Sequence, residues 1–303
     1  MIAISLRQLE VFVGIATRGT VRAAAEHLHL TQPAVSMALT ELERQLSTLL
    51  FDRDRGRLHL SARGRELLPQ AREILERVQD FQYLASDRTR QLAGELRIGA
   101  SNTIGNYLVG DLLGNFIARH PQVNLQVRVE NTRDIIRDLL NHELDAACVE
   151  GTVNHPRLQA LPWRDDTLAV HAAPGHPLAA RRRLQAGDFE DVKWILREPG
   201  SAMRTLAEQA MALLPPGQIF LELGQVEAIK QAVIAGLGLS FLPDAATRDA
   251  LATGRLVRLS TPFLPLQRRF SVMLHRSRYQ PTVLGAFLAS LALDPGELTS
   301  ADD

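Results

Sequence analysis

In the stretch TQPAVSMALTELERQL, from Thr31 to Leu46, apolar residues recur every three or four positions: Val35, Ala38, Leu39, Leu42 and Leu46. At 100° per residue they fall on one stripe, which predicts a helix buried along one side. Thr31 is a suitable N-cap, and Pro33 falls in the first turn, where its missing donor costs little. The opposite side carries Pro33, Met37, Thr40 and Arg44, with Ser36 on its flank and Gln32 at the tip. The N-terminal end of this face is short of carboxylates, unlike an ordinary solvated face.

The same period places a first helix through Leu6, Leu9, Phe12, Val13 and Ala16, ending at Gly19, a residue suited to a left-handed C-cap. Thr20 then caps the Ala-rich VRAAAEHLHL, and a short turn leads to Thr31. Two short helices joined by a tight turn and braced by a third form a helix-turn-helix, whose second helix enters the major groove of DNA. On that helix Gln32 can pair with adenine, and Thr31 and Ser36 can donate to phosphates or bases. Pro33 and Met37 can press on a thymine methyl group, with Thr40 on the same face.

Next comes FDRDRGRLHLSARGR, with Arg53, Arg55, Arg57, Arg63 and Arg65 against Asp52 and Asp54. Gly56 permits a tight turn between two short extended pieces, a β-wing whose arginines can neutralise phosphates. Alone, an Arg-rich loop reads as solvated surface. The order of bracing helix, Ala-rich helix, TQPAVS helix and basic wing gives it meaning. From Ser61 to about Arg90, Leu67, Leu68, Ala71, Ile74, Leu75, Val78, Phe81 and Leu84 predict a long amphipathic helix that passes through Pro69. Its apolar seam suits a partner helix, or else its own domain.

From Glu95 the pattern changes to short apolar runs alternating with helices: ELRIGA, LQVRVE, DAACVE, then TLAVHAA, WILRE, QIFLELG, LGLSFLP and FSVMLH. Such runs suggest two α/β units with parallel sheets covered on both faces. In open α/β sheets ligands bind beyond the carboxyl ends of the strands, often at helix N-termini. Three places fit: Ser101, Asn102 and Thr103; Asn131 and Thr132; and Gly200 and Ser201, followed by Arg204. Each hydroxyl or amide there is equally an ordinary N-cap.

Composition narrows the partners. The chain has 303 residues and 46% hydrophobic content, enough for two or more domains. With 34 basic and 34 acidic residues, any nucleic acid must be met by a local patch. The single cysteine, Cys148, lies in an apolar run and reads as a buried small residue in a reducing compartment. No signal-like N-terminus and no apolar run approaching about 18 residues is seen, so a cytoplasmic location is expected.

No G-x-S-x-G elbow, P-loop, paired-cysteine metal site or H-E-x-x-H is found, and the nine histidines are dispersed. The expectation is therefore neither an enzyme nor a metal or cofactor protein. Enzymatic use of a cleft between the two α/β units and a role as a transport solute-binding protein are the competing readings.

The segments LRQLEVF, AAAEHLHLTQPAVSMALTELE and LFDR, in this order and spacing, resemble the LysR-type transcriptional regulators. GASNTIGNYL, NTRDIIRDLLNHELDAACVEG, WILREPGSAMR and LGQVEAIKQAVIAGLGLSFLP resemble their effector domain, so the likeness runs from about residue 5 to residue 290. It implies a winged helix-turn-helix over 1–60, a dimerising linker helix over 61–92, and a two-lobed α/β effector domain over 93–303, similar to periplasmic binding proteins. Lobe I would hold about 93–162 and 268–303, and lobe II about 163–267.

Carried over by position, Ser101, Thr103, Asn131, Thr132, Glu150, Gly151, Arg197, Ser201 and Val226 would border the cleft, with Asn102 and Arg204 beside it. The resemblance further implies double-stranded DNA, a homodimer or homotetramer, RNA polymerase and a small effector as partners. The pairing of GASNTIGNYL with WILREPGSAMR is most similar to the branch governing sulfur assimilation and carbon fixation, including sulfite-responsive members. A small oxyanion or carboxylate, sulfite or sulfate first, is the effector expected.

The chain departs from its relatives at three places. Gln225 and Val226 stand where a small polar pair is usual, Ala202 and Met203 where Gly-Thr is common, and Met37 where an arginine is frequent.

Overall fold

The computed structural model describes residues 4–54, 57–85 and 91–293, the side chains of residues 53, 54 and 57 excepted. Its contacts divide the chain into two compact units: Met1–Gly94 with Tyr279–Thr282, and Glu95–Arg278 with the segment from Val283 onward.

The first unit begins with α1 (Leu6–Arg18), α2 (Val21–His27) and α3 (Gln32–Leu46). Local chemistry sets each boundary. Ser5 and Gln8 form a reciprocal capping box on α1, and Gly19 ends it at φ 78° by donating its N–H to the Ile15 carbonyl. Thr20 accepts from the N–H of Ala23 and Thr31 from that of Ala34, as helix starts require. Val11, Phe12, Ile15, Ala24, Val35, Leu39 and Leu42 share one core.

A hairpin of β1 (Phe51–Asp54) and β2 (Arg57–Leu60) follows, antiparallel from Phe51↔Leu60 to Asp54↔Arg57. The long α4 (Ala62–Ala85) runs through Pro69 and adds Leu68 and Ala71 to the core shared with α1. Its Asp80 carboxylate accepts from the Tyr279 hydroxyl at 2.7 Å and from the N–H of Thr282.

The second unit opens with β3 (Gly94–Ser101), α5 (Asn102–Tyr107), α6 (Val109–Arg119), β4 (Val123–Glu130), α7 (Thr132–Leu140), β5 (Ala146–Glu150) and β6 (Leu158–Ala172). It continues with β7 (Lys193–Leu196), α8 (Ala202–Met211), β8 (Gln218–Glu222), α9 (Val226–Ile234), β9 (Ser240–Pro243), α10 (Asp244–Ala252), β10 (Val257–Arg258), β11 (Gln267–His275) and α11 (Thr282–Ser290). The main sheet has the order β10-β6-β11-β5-β3-β4, with β9 also on β6, while β7 and β8 pair separately.

Two lobes arise because two strands are shared. The first half of β6 pairs with β11, which continues to β5; its second half, from Leu168 to His171, pairs with β9. The register between β6 and β11 shifts between Phe270 and Ser271. One lobe centres on Ile135, Leu139, Leu144, Val149 and Met273. The other is built around Trp194, which stacks on Phe241 at 4.7 Å and on Phe189 at 6.0 Å.

The fully parallel sheets expected from the sequence are not what forms. β3–β5 and β7–β8 are parallel, but β11 is antiparallel to both β5 and β6. The chain crosses to the second lobe along β6 and returns along β11, so these two run in opposite directions and pair accordingly.

Candidate functional site

Two surfaces concern function, one in each unit. On α3, Val35, Leu39 and Leu42 are buried, while Gln32, Pro33, Ser36, Met37 and Thr40 are exposed on the other side. Met37 keeps 73% of its surface in solvent, an apolar investment that suits a partner. Thr31 uses its oxygen to cap, which leaves its hydroxyl proton free to donate outward. Thr40 instead donates to the carbonyl of Ser36 at 2.9 Å, and Arg44 grips Glu41 with two donors.

The basic wing is less free than its residue count suggests. Arg63 pairs with Glu66 at 2.5 Å and Arg65 donates to the Leu60 carbonyl at 2.6 Å. Arg53 and Arg57 have their backbones in the hairpin; their side chains, and Arg55 altogether, lie outside the described residues.

In the second unit, parallel pairing of Ile98, Gly99 and Ala100 with Ala146, Ala147 and Cys148 brings the ends of β3 and β5 together. Ser101–Thr103 and Glu150–Gly151 therefore converge. Arg268 lies among them, 3.1 Å from Glu150, donating to Thr103 Oγ1 at 3.4 Å and to Asp166 at 2.6 Å. From the second lobe, the Gly200 carbonyl accepts from the N–H of Arg133 on α7, and Ala202 lies close to Gly151. The segment between β7 and α8 thereby faces the first lobe.

A cavity of about 940 Å³ opens here, lined by Thr132, Glu150, Gly151, Asp166, Gly200 and Arg268 among others. Buried polar side-chain atoms that find no hydrogen-bond partner among the described residues include Thr132 Oγ1 on the cavity lining, Ser201 Oγ between the lining residues Gly200 and Ala202, and Ser101 Oγ and Asn102 Oδ1 where β3 meets α5. An unsatisfied buried polar group costs about 1–3 kcal/mol, so a concentration of them asks for a polar occupant.

Capping separates the three helix starts. Asn131 accepts from the N–H of Asp134 and is an ordinary cap of α7, whereas Ser101 and Ser201 stand at the N-cap positions of α5 and α8 without making the cap bond.

The other sequence-derived residues scatter. Arg197 is buried and holds Glu198 with two donors, and Arg204 donates to the Arg197 carbonyl while pairing with Glu208 and Glu222, so neither offers an open charge. Val226 is fully buried in the second lobe's core instead of lining the cavity. Cys148 is also buried, which pushes its thiol up to about 12. Arg268, Asp166 and Arg133 were missed; Arg268 and Asp166 sit in the polar stretch RDD and the run QRR, where no apolar period marks a site.

The model for the LysR substrate binding domain matches residues 89–293, and that for the bacterial regulatory helix-turn-helix protein of the lysR family matches residues 6–65. The chain belongs to the LysR family of transcriptional regulators.

The HTH-type regulator YeiE of Escherichia coli K12, itself described as uncharacterized, is 37% identical over 94% of this chain and 96% of its own. The RuBisCO operon transcriptional regulator of Allochromatium vinosum is 31% identical over 94% of both chains, which ties this regulator to carbon-fixation relatives. Among solved structures, a full-length OxyR variant from Pseudomonas aeruginosa aligns with a TM-score of 0.76 and 27% identity, covering 96% of this chain and 95% of that one. The Synechocystis CcmR regulatory domain, solved in complex with 2-PG, aligns with a TM-score of 0.60 and 29% identity over 65% of this chain and 95% of that domain. Among the described residues no helix is long and apolar enough to cross a membrane.

Proposed function

We propose that this LysR-family DNA-binding regulator is controlled by a small oxyanion held between the lobes of its second unit, among Ser101, Thr132, Ser201 and Arg268. The observation that carries this reading is the pair of N-cap hydroxyls, Ser101 and Ser201, that are buried and do not cap. A hydroxyl beside free backbone N–H groups at a helix start is the chemistry that receives an anionic oxygen. The ligand named in the CcmR structure, 2-PG, supports an effector in this domain. Sulfite and sulfate enter as the first probes.

On the DNA side, Gln32, Ser36 and Met37 read bases in the major groove, while Thr31 and the wing residues Arg53, Arg55 and Arg57 contact phosphates. The regulator acts in the cytoplasm as a homodimer or homotetramer joined through α4, and works on RNA polymerase. Effector binding favours one arrangement of the lobes by differential affinity, and the linker carries that bias to the DNA-binding unit. The cleft is a sensor and performs no catalysis.

Thermal unfolding of the full-length protein against sulfite, sulfate, thiosulfate, phosphate, phosphorylated metabolites and amino acids tests the effector site. A ligand of the folded state raises the midpoint by mass action. A saturable rise that disappears in Ser101→Ala and Ser201→Ala is expected; a rise left intact in both variants moves the effector elsewhere.

A further inference from the structure

Asp80 is buried on a stretch of α4 where Phe81 and Leu84 are exposed. Buried carboxylates of the second unit hold arginines: Asp145 holds Arg97 at 2.6 Å, Asp138 holds Arg128 and Arg137, and Glu150 lies 3.1 Å from Arg268. Asp80 has no cation at ion-pair distance among the described residues. It accepts from neutral donors, the Tyr279 hydroxyl at 2.7 Å and the N–H of Thr282 at 3.0 Å.

Local chemistry accounts for both bonds. α11 starts directly after Pro281, which has no side-chain oxygen to satisfy the free N–H groups of a first turn. Asp80 supplies that acceptor from another helix. The hydrogen bond to Asp80 pushes the Tyr279 hydroxyl up to about 12, so the phenol keeps its proton and donates it. Arg77, one turn before Asp80, spreads its guanidinium over the Tyr279 ring, 4.0 Å from the centroid, and is itself held by Glu73.

The residues Tyr279–Thr282 follow the second unit in sequence but belong to the first by contact. Immediately before them, Arg278 is fixed to the second unit, where it pairs with Asp145 and donates to the Leu144 carbonyl at 2.7 Å. Immediately after them, Val283, Leu284 and Phe287 are buried, with Phe287 edge-on to Phe116 at 5.7 Å. β11, which carries Arg268 at its cavity end, pairs with β5 on one flank and β6 on the other. A strand held on both flanks thus leads from the cavity to a segment gripped by α4.

A carboxylate buried on neutral donors recovers hydration when it lets go, so this contact is made or broken at small net cost. Coupling between distant sites requires an element with two such arrangements. We propose that Asp80 and Tyr279 form a releasable joint through which the state of the DNA-binding unit and the state of β11 set each other. Tyr279 is thereby a positioning residue for the regulated DNA-binding unit. The joint's regulatory meaning rests on the effector control proposed above.

Backbone hydrogen exchange of the full-length protein, free and bound to a duplex carrying its operator, tests the joint. In the wild type, exchange in β11 and in the first turn of α11 should change by about fivefold or more on DNA binding, the low end of usual coupling between sites. Tyr279→Phe removes the phenol donor and should abolish this DNA-dependent change. Asp80→Asn takes the charge from both bonds and should diminish it. Each variant is compared with its own DNA-free state, so a uniform loosening cancels and only lost coupling registers.

DNA is the sole ligand in this experiment, so its result is independent of whether any anion binds the cavity. The proposal is overturned if DNA leaves β11 and the start of α11 unchanged in the wild type, or if the change survives at full size in either variant.

Discussion

Arg268 stands opposite Asp166 across the crossover pair β6 and β11, and its Nε donates to the Asp166 carboxylate at 2.6 Å. The same guanidinium reaches Glu150 at the end of β5 and Thr103 in α5. One buried cation therefore joins both strands that run between the lobes to the strand ends that border the cavity.

Removing that cation leaves two carboxylates buried without a partner. Arg268→Met should destabilise the second unit by about 3–5 kcal/mol, the usual result of breaking a buried ion pair from one side. Burial raises the Asp166 carboxyl above its ordinary range, and Arg268 counteracts the rise. A group whose folded pKa is raised contributes stability at low pH that is lost as pH rises. Without Arg268 the rise grows, so the deficit of the variant should narrow as the pH falls from about 7 towards 4. Urea midpoints of both proteins across that range decide it; a deficit that stays constant contradicts the assignment.

His171 works in the opposite direction. Burial lowers its imidazole from 6.5 to about 4. Its contribution is complete above about 6.5 and is lost as the pH falls towards about 4, because only the unfolded chain takes up the proton readily. Between pH 7 and pH 5 this single group should cost the wild type about 2 kcal/mol of stability. His176 and His275 are lowered by burial too and add in the same sense. In His171→Gln the fall over that interval should shrink by about the stated amount; an unchanged pH profile would show that another group controls acid sensitivity.

How far the sequence reached depends on the distance over which each feature is decided. Caps at Thr20, Thr31 and Gly19 depend on the next turn of chain, and the stripe Val35, Leu39, Leu42 depends on the helical period; both are legible locally. Whether Ser101, Asn131 or Ser201 caps its helix is another matter, since the side chain can turn inward or outward at the same backbone position. Their residue types gave no way to choose. Val226 shows a related limit: an apolar residue after a strand–turn fits a cleft or a core equally, and packing with Ile229 and Val233 takes it into the core. Arg268 is decided by cross-strand register with Asp166, more than a hundred positions away, which no periodicity reveals.

Gly64 marks the closest approach within the first unit. A Cβ there would meet the Leu50 carbonyl oxygen at 2.1 Å, a backbone contact that no rotamer change relieves. The N–H of Gly64 donates to Ser61 Oγ, which in turn donates to the Leu49 carbonyl, so the start of α4 is fastened to the wing. Gly64→Ala must therefore push α4 away from the hairpin, at a cost of about 1–3 kcal/mol. Differential scanning calorimetry should show the lower midpoint, and operator affinity should fall with it. A variant as stable as the wild type would mean that the two elements separate freely.

Met37 offers a change that leaves the fold alone, because its side chain is exposed and contributes nothing to the core of α3. Methionine can give a base edge only apolar contact, whereas arginine there can reach a phosphate or the O6 and N7 of guanine. Met37→Arg should therefore tighten binding to unrelated duplexes and steepen the slope of log affinity against log salt by about 0.9, the release expected for one added phosphate contact. If the arginine reads guanine instead, the salt slope should stay near that of the wild type while preference at one operator position shifts. Filter-binding titrations at several salt concentrations, on the operator and on a scrambled duplex, separate these results. No change in either quantity would place residue 37 away from the DNA and refute the orientation assigned to α3.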